Sequence, residues 1–176
     1  MKKRIHIPLD FEVDKLTNSI ENVVTGDSFA TSISLVSKSD ILKITKKAGW
    51  AFNWKYEFEQ HNREVYKLTI VNNQHIIQGL VCVQVMTDHV YMHLLESAPF
   101  NRGNSKMYSG VAGNLVAFVC QLSFQRGYQG NVSFVSKTSL IKHYEESLGA
   151  AHIGRQVMIV ETTAARKLID KYFKNS

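Results

Sequence analysis

The chain has 176 residues, 44% of them hydrophobic, and a mean hydropathy of −0.15. A chain of this length and composition buries a core without disulfides or a metal, so we predict one domain over residues 1–176 and no membrane span. The 21 basic and 15 acidic residues give a net charge of +6, spread along the chain rather than clustered. A basic charge suits a phosphorylated cofactor or an acidic partner equally well, and the lack of clustering argues against nucleic-acid binding, which remains an alternative.

Two local features bear on where the protein works. Pro8 and Asp10 interrupt the segment after the basic start, so we do not expect a secretory signal. Cys82 and Cys120 lie inside apolar runs, which predicts two buried, reduced thiols. We therefore expect a cytoplasmic protein without a disulfide framework.

The first 60 residues show the weakest patterns. Residues 28–36 alternate in polarity, which predicts a strand. Ser39 has the character of an N-cap, and helical spacing then continues to Gly49, a suitable residue for the helix end. The aromatic-rich residues 50–54 are expected to close off the core, and the alternative is that one of them lines a groove.

The rest of the chain predicts regular elements in a clear order. Three alternating runs joined by short turns predict an antiparallel meander, and a loop rich in Gly, Asn and Ser leads to a helix that is apolar nearly all round. The strands are expected at 65–71, 76–86, 90–96, 131–136 and 156–161, and the helices at 115–126, 138–147 and from Thr162 or Thr163 onward. This order, a meander followed by β-α-β-α-β-α, predicts a mixed α/β (α+β) fold with a central mixed sheet flanked by helices.

The loop before the apolar helix has the composition of an anion site. A helix N-terminus offers unpaired backbone N–H groups, and glycines allow a phosphate to approach them closely. Gly103, Gly110 and Gly113 are placed for this purpose, and Arg102 and Lys106 add positive charge. The spacing matches neither a P-loop nor a dinucleotide fingerprint, so the alternative is a simple connection between two elements.

The same junction resembles the GNAT (Gcn5-related) N-acetyltransferases. That family commonly has L-x-V-x-P-x-x-R-G-x-G-x-G/A at a strand-to-helix junction, and Leu95, Pro99, Arg102 and Gly103 match its first part. The remaining glycine pattern follows later, at 110–112, so the loop is enlarged by the residues NSKMY or an equivalent segment.

A second motif extends the resemblance to about residues 65–150. The family commonly has N-x-x-A-x-x-x-Y-E-K-x-G-F on a later helix. Tyr144-Glu145 and Leu148-Gly149 match it, with one more residue between the two pairs than in the family's tightest form. Lys137 stands where the family has asparagine. The end of the chain also differs, because the family closes with a two-stranded hairpin whereas we predict one strand and an added helix.

The resemblance implies acetyl-CoA as the cofactor. It implies a cofactor-binding core at 65–161, a divergent acceptor-side part at 1–60 and a C-terminal helix at 162–176. The backbone and side chains expected to hold the coenzyme are those of Leu95, Ser97, Arg102, Gly103, Gly110, Val111, Ala112, Gly113, Asn114 and Lys137.

The resemblance also implies direct attack of a primary amine on the acetyl thioester. Glu96 is the expected base, with a solvated strand-end acid as its alternative role and His93 as the second candidate base. A backbone N–H at Ser97 or its neighbour is the expected oxyanion donor. Tyr144 is the expected acid for the leaving thiolate, and its alternative role is that of a core tyrosine.

The residues leave the amine acceptor and the assembly open. The acceptor is a small molecule, a protein amino group or an aminoacyl-tRNA, the last as in toxin-type relatives of the family. A homodimer is compatible with the sequence. A non-catalytic domain that keeps the fold for CoA binding or protein docking is the alternative function, supported by Lys137 and the enlarged loop.

Overall fold

The computed structural model describes residues 7–173 and centres on a mixed seven-stranded sheet. Its strand order is β3-β4-β5-β6-β8-β10-β9, and a small sheet of order β2-β1-β7 lies apart from it. The strands are β1 (Ile20–Asn22), β2 (Ser28–Phe29), β3 (Thr31–Leu35), β4 (Glu64–Ile70), β5 (Gly79–Val85), β6 (Val90–Ser97), β7 (Tyr108–Ser109), β8 (Val132–Val135), β9 (Ala151–His152) and β10 (Val157–Val160). This architecture confirms the predicted mixed fold.

Five α-helices accompany the sheet within the described residues. The longest, α3, is apolar on nearly every face because it packs against β5 and β6 on one side and against α5 on another. The helices are α1 (Lys38–Ile41), α2 (Trp54–Glu59), α3 (Val111–Gln125), α4 (Ile141–Leu148) and α5 (Thr162–Tyr172). Within the described residues no helix combines the length and apolar character needed to cross a bilayer.

Strand β6 carries a β-bulge shortly before its end. Cys82 of β5 faces Leu94, whereas the next residue, Val83, faces Met92, so β6 has one extra residue at His93. A bulge of this kind reverses the alternation of side chains along the strand. Leu94, Leu95 and Glu96 are consequently all buried.

Strands β6 and β8 run parallel and diverge after a short contact. Their pairing consists of Val90 with Val132 and Tyr91 with Ser133, and the described structure has no further pair between them although β6 continues to Ser97. The wedge-shaped space between the two strands, open toward the start of α3, is called the coenzyme groove, after the cofactor that the resemblance implies.

The N-terminal residues enter this groove. Residues 9–14, which we call the strap, alternate between buried apolar and exposed acidic side chains. Leu9 forms a parallel bridge to Ser136, just beyond the end of β8. The strap therefore extends the central sheet at the point where β6 has turned away from β8.

Three local expectations are wrong. Helix α1 is capped by Ser37 and not Ser39, because the Ser37 hydroxyl and the Asp40 carboxylate form a reciprocal capping box, and α1 ends at Ile41, well before Gly49. The helix expected from Thr138 begins as a 3₁₀ turn at Thr138–Leu140.

The third concerns the end of the sheet. It is not a single strand, since β9 and β10 pair antiparallel and close the sheet as a hairpin. The one-strand expectation missed β9 because two residues are too few to show a period of two.

The cysteines and the aromatic segment agree with the sequence. Cys82 and Cys120 are buried and have free thiols. Trp50 and Trp54 are buried in the core, as expected for a segment that closes it. Phe52, which lies between them, lines a cavity at the end of β6, so the groove-lining alternative also holds for this segment.

Candidate active site

A cavity of about 360 Å³ lies where β6 ends and α3 begins. Its walls come from the strap, from the aromatic segment before α2, from the end of β6 and from the glycine-rich loop. The predicted site residues that line it are Leu95, Glu96, Ser97, Arg102, Gly103, Val111 and Ala112. The fold thus brings together residues of both halves of the strand-to-helix motif.

The Glu96 carboxylate is buried and held by several N–H groups. Its Oε2 accepts from the backbone N–H of Ala51 at 2.7 Å, and its Oε1 accepts from the indole N–H of Trp54 at 2.8 Å and from the N–H of Phe52 at 3.3 Å. Arg102 lies 3.2 Å from Oε2. This carboxylate, 4% exposed, therefore ties the aromatic segment to the end of β6.

Arg102 faces the aromatic segment as well as the cavity. Its guanidinium donates to the carbonyl of Gly49 at 2.7 Å, in addition to its ion pair with Glu96. Asn101 holds the start of the enlarged loop by donating to the backbone carbonyl of Gln78 at 3.1 Å. The loop then ends in β7, which pairs with β1, so its extra residues join the small sheet.

Gly110 is the N-cap of helix α3, and its backbone is left-handed with φ of +89°. The N–H of Gly110 donates to Oδ1 of Asp14 at 3.1 Å. The other carboxylate oxygen of Asp14 pairs with the Lys106 ammonium at 2.9 Å. A Cβ at Gly110 would collide with the hydroxyl of Thr17. A carboxylate of the strap thus occupies the helix start, where the positive end of the helix dipole favours negative charge.

Gly113 and Asn114 of α3 lie outside the cavity lining. A Cβ at Gly113 would collide with the hydroxyl of Tyr172 in α5. Asn114 is fully buried, and its Oδ1 accepts from the Thr31 hydroxyl at 3.4 Å. In this structure both residues serve contacts between α3 and its neighbours.

Tyr144 lies on α4 and reaches the strap. Its hydroxyl donates to the carbonyl of Phe11 at 2.7 Å, and the two rings lie 4.8 Å apart. Burial raises the pKa of the Tyr144 hydroxyl above its usual range, and the carboxylates of Asp10 and Glu12 raise it further. In this arrangement Tyr144 is a buried hydrogen-bond donor and a weaker acid than a free tyrosine.

The remaining candidates have partners of their own. Lys137 pairs with Asp10 of the strap at 2.9 Å. His93, at the bulge of β6, lies outside the cavity lining, and its Nε2 is 2.8 Å from the side-chain oxygen of Gln84.

Acetyl-CoA does not fit the coenzyme groove while the strap lies in it. The N–H of Gly110 and the ammonium of Lys106, two donors of the kind that suit a diphosphate, are both engaged by Asp14. The Tyr144 hydroxyl is engaged by Phe11. The diverging strands and the start of α3 suit the coenzyme, but residues 9–14 fill the space that it would occupy.

The strap is the part of the site that the sequence interpretation missed. The signal was present, since Leu9, Phe11 and Val13 alternate with Asp10, Glu12 and Asp14 as a half-buried strand requires. An alternation of only six residues so close to the chain start does not reveal that the segment will enter a groove between two distant strands.

Solved structures with a similar architecture include N-acetyltransferases. The ribosomal-protein-S18-alanine N-acetyltransferase from Escherichia coli aligns with a TM-score of 0.52 and 18% identity over 74% of this chain and 91% of its own. A spermidine N-acetyltransferase from Vibrio cholerae, in complex with CoA and spermine, gives 0.52 and 11% over 77% and 98%. The AtaTR complex bound with acetyl-CoA gives 0.51 and 15% over 78% and 97%.

The sequence itself has no such match. No protein-family model and no curated protein matches it. The assignment of the fold rests on the mixed seven-stranded sheet flanked by helices and on the similarity to these solved structures. The chain has the fold of the GNAT N-acetyltransferases.

Proposed function

We propose that the protein is an acetyl-CoA-dependent N-acetyltransferase acting on a primary amine. The observation that carries this proposal is the divergence of β6 from β8 in front of a helix that begins at left-handed Gly110. A wedge between parallel strands, closed by a helix N-terminus, is a suitable frame for an extended molecule with a phosphorylated end.

Glu96 and Tyr144 remain the residues that we propose for proton transfer. Glu96 lines the cavity, and the Tyr144 hydroxyl points at the strap within the coenzyme groove. The N–H groups of Ala51 and Trp54 hold the Glu96 carboxylate in one orientation. Tyr144 can act on a bound coenzyme only after the strap has left the groove, because its hydroxyl otherwise donates to the carbonyl of Phe11.

The acceptor is expected to be a primary amine, and an experiment is needed to identify which one. The similar solved structures include a ribosomal-protein-S18-alanine N-acetyltransferase and a spermidine N-acetyltransferase. A direct test incubates the protein with labelled acetyl-CoA and a panel of polyamines, peptides with free N-termini and aminoacyl-tRNA. Mass spectrometry then identifies any acetylated product.

Tyr144→Phe provides the matched variant for this test. The proposal predicts amine-dependent acetylation by the native chain and a strong loss of turnover in the variant when both are saturated with acetyl-CoA. Acetylation of no amine in the panel, by a chain shown to bind acetyl-CoA, contradicts the proposal.

A second candidate is a non-catalytic domain that retains the fold. The observation that favours it is the carboxylate of Asp14 at the start of α3. In a domain that no longer binds the coenzyme, a side chain of the protein could take the place of the phosphate in this way. Absence of acetyl-CoA binding by the native chain and by variants with a weakened strap would favour this candidate.

A further inference from the structure

We infer that the strap acts as a built-in competitor of the coenzyme: residues 9–14 occupy the coenzyme groove, and acetyl-CoA binds only after they leave it. This inference rests on the proposed function. It follows from three sets of contacts along the strap, one at each end and one in the middle.

The first set lies where the strap joins β8. The N–H of Leu9 donates to the carbonyl of Val135 at 2.7 Å, and the N–H of Lys137 donates to the carbonyl of Leu9 at 3.0 Å. The same edge of β8 faces β6 at its beginning, because the N–H of Val90 donates to the carbonyl of Asn131. The strap therefore takes the backbone partners that β6 leaves when it diverges.

The second set lies in the middle of the groove. The Phe11 ring is 4.8 Å from the ring of Tyr144 and 6.0 Å from the ring of Phe134. The N–H of Val13 donates to Nε2 of His143 at 2.9 Å. Phe11 and Val13 are each 8% exposed, so this part of the strap is packed as core.

The third set lies at the start of α3. The Asp14 carboxylate binds the N–H of Gly110 and the ammonium of Lys106, which are donors of the kind that a diphosphate needs. At the other end of the strap, Asp10 neutralises Lys137. Two acidic residues of the strap, Asp10 and Asp14, therefore pair with Lys137 and Lys106, the lysines that the sequence analysis places at the coenzyme.

These contacts make the two occupants mutually exclusive. A coenzyme diphosphate and the Asp14 carboxylate compete for one N–H and one ammonium, and their negative charges repel. Coenzyme affinity is then reduced by the fraction of molecules in which the strap is released. Weakening the strap must raise the apparent affinity without touching the walls of the groove.

Calorimetric titration of the full chain with acetyl-CoA tests this inference. Asp14→Asn removes the competing charge while keeping the size of the side chain, and Phe11→Ala removes the ring contacts in the middle of the strap. We expect each variant to bind at least about tenfold more tightly than the native chain, and the double variant more tightly still.

Two control variants separate release of the strap from general effects. Asp27→Asn removes an exposed acid outside the groove. Leu68→Ala creates a cavity in β4, where the side chain is fully buried away from the strap. Both are expected to leave the affinity for acetyl-CoA near the native value.

Equal affinities of the native chain, Asp14→Asn and Phe11→Ala would overturn the inference and leave the proposed function standing. Failure of every variant to bind acetyl-CoA, while Phe11→Ala shows faster hydrogen exchange at the Leu9 amide, would overturn the proposed function and the inference with it. Tighter binding by Leu68→Ala equal to that of Phe11→Ala would also contradict the inference.

Discussion

Asp14 accepts a hydrogen bond from the backbone N–H of Gly110, a residue 96 positions further along the chain, at 3.1 Å. The contact places a negative charge at the beginning of the longest helix in the described structure. Such a charge typically stabilises a helix by about 0.3–1 kcal/mol. The contact therefore gives the N-terminal segment a defined end point on α3 and occupies a site suited to an anion.

The Glu96 carboxylate is expected to be a stabilising group as well as a site residue. Glu96→Gln places an amide N–H₂ against the N–H donors of Ala51 or Trp54 and weakens the pair with Arg102. Because hydrogen bonds to buried charged groups contribute about 1.5–3 kcal/mol each, we expect the free energy of unfolding to fall by about 3 kcal/mol. Urea denaturation measures this change.

Glu59→Gln is the matched control for that measurement. Glu59 is exposed and lies 4.0 Å from Lys55 in a surface pair of the kind that contributes little. Its replacement is expected to change the free energy of unfolding by less than about 0.5 kcal/mol. Equal effects of the two variants would show that the N–H donors around Glu96 do not stabilise the fold.

Gly110 and Gly103 differ in what a side chain would meet. Both have left-handed backbones, with φ of +89° and +73°, so alanine costs roughly 1 kcal/mol at either position. At Gly110 the new Cβ also collides with Thr17, whereas at Gly103 it meets no atom within 4 Å. We expect Gly110→Ala to lower the free energy of unfolding by about 1–3 kcal/mol more than Gly103→Ala does. Indistinguishable thermal denaturation of the two variants would contradict the close packing of Thr17.

A buried ion pair joins Glu57 of α2 to Arg63, which directly precedes β4. Arg63 pairs with Glu57, whose side chains are 13% and 6% exposed, and the thiol of Cys82 donates to Glu57 at 3.3 Å. Arg63→Met leaves an uncompensated buried carboxylate and is expected to lower the free energy of unfolding by about 3–5 kcal/mol. Adding Glu57→Gln should recover much of that loss in chemical denaturation. A double variant as unstable as the sum of the two single variants would show that Glu57 and Arg63 are not coupled.

The protein is expected to lose stability at alkaline pH. Burial raises the pKa of Cys120 to about 12, and burial together with Glu64 raises the pKa of Tyr66 to about 12. In the unfolded chain these groups titrate near about 8.5 and about 10. Their stabilisation is therefore complete below about pH 8.5, and it is lost as the pH rises toward 12, because the unfolded chain releases its protons first.

Denaturation measured at pH 7, 9 and 10.5 checks this dependence. Cys120→Ala should flatten the part of the decline that begins near about pH 8.5. A free energy of unfolding that stays constant from pH 7 to pH 10.5 would contradict the burial of these groups.

The sequence predicts the meander and α3 well because their signals are local. Residues 65–71 alternate and are followed by an asparagine turn, and the actual strand is Glu64–Ile70. The helix before Gly127 is apolar nearly all round, and it is buried as predicted. Patterns of this length decide an element without information from the rest of the fold.

The strap and the partners of Glu96 depend on distant residues, and the sequence does not reveal them. The alternation at residues 9–14 went unread as a strand, and nothing local identifies β8 as its neighbour. Likewise, the acid at the end of β6 gives no sign that Trp54 will donate to it. The small strands β1, β2 and β7 have two or three residues each, which is too short to show a period.

Hydrogen exchange at the amides of Leu9 and Val13 tests the competition between strap and coenzyme most directly. Both amides donate within the groove, to Val135 and to His143 respectively, so they should be protected in the free protein. Saturation with acetyl-CoA is predicted to accelerate exchange at both amides, with protection in β4 unchanged. Coenzyme bound at saturation with Leu9 and Val13 still fully protected would show that strap and coenzyme occupy the groove together, and it would contradict the competition.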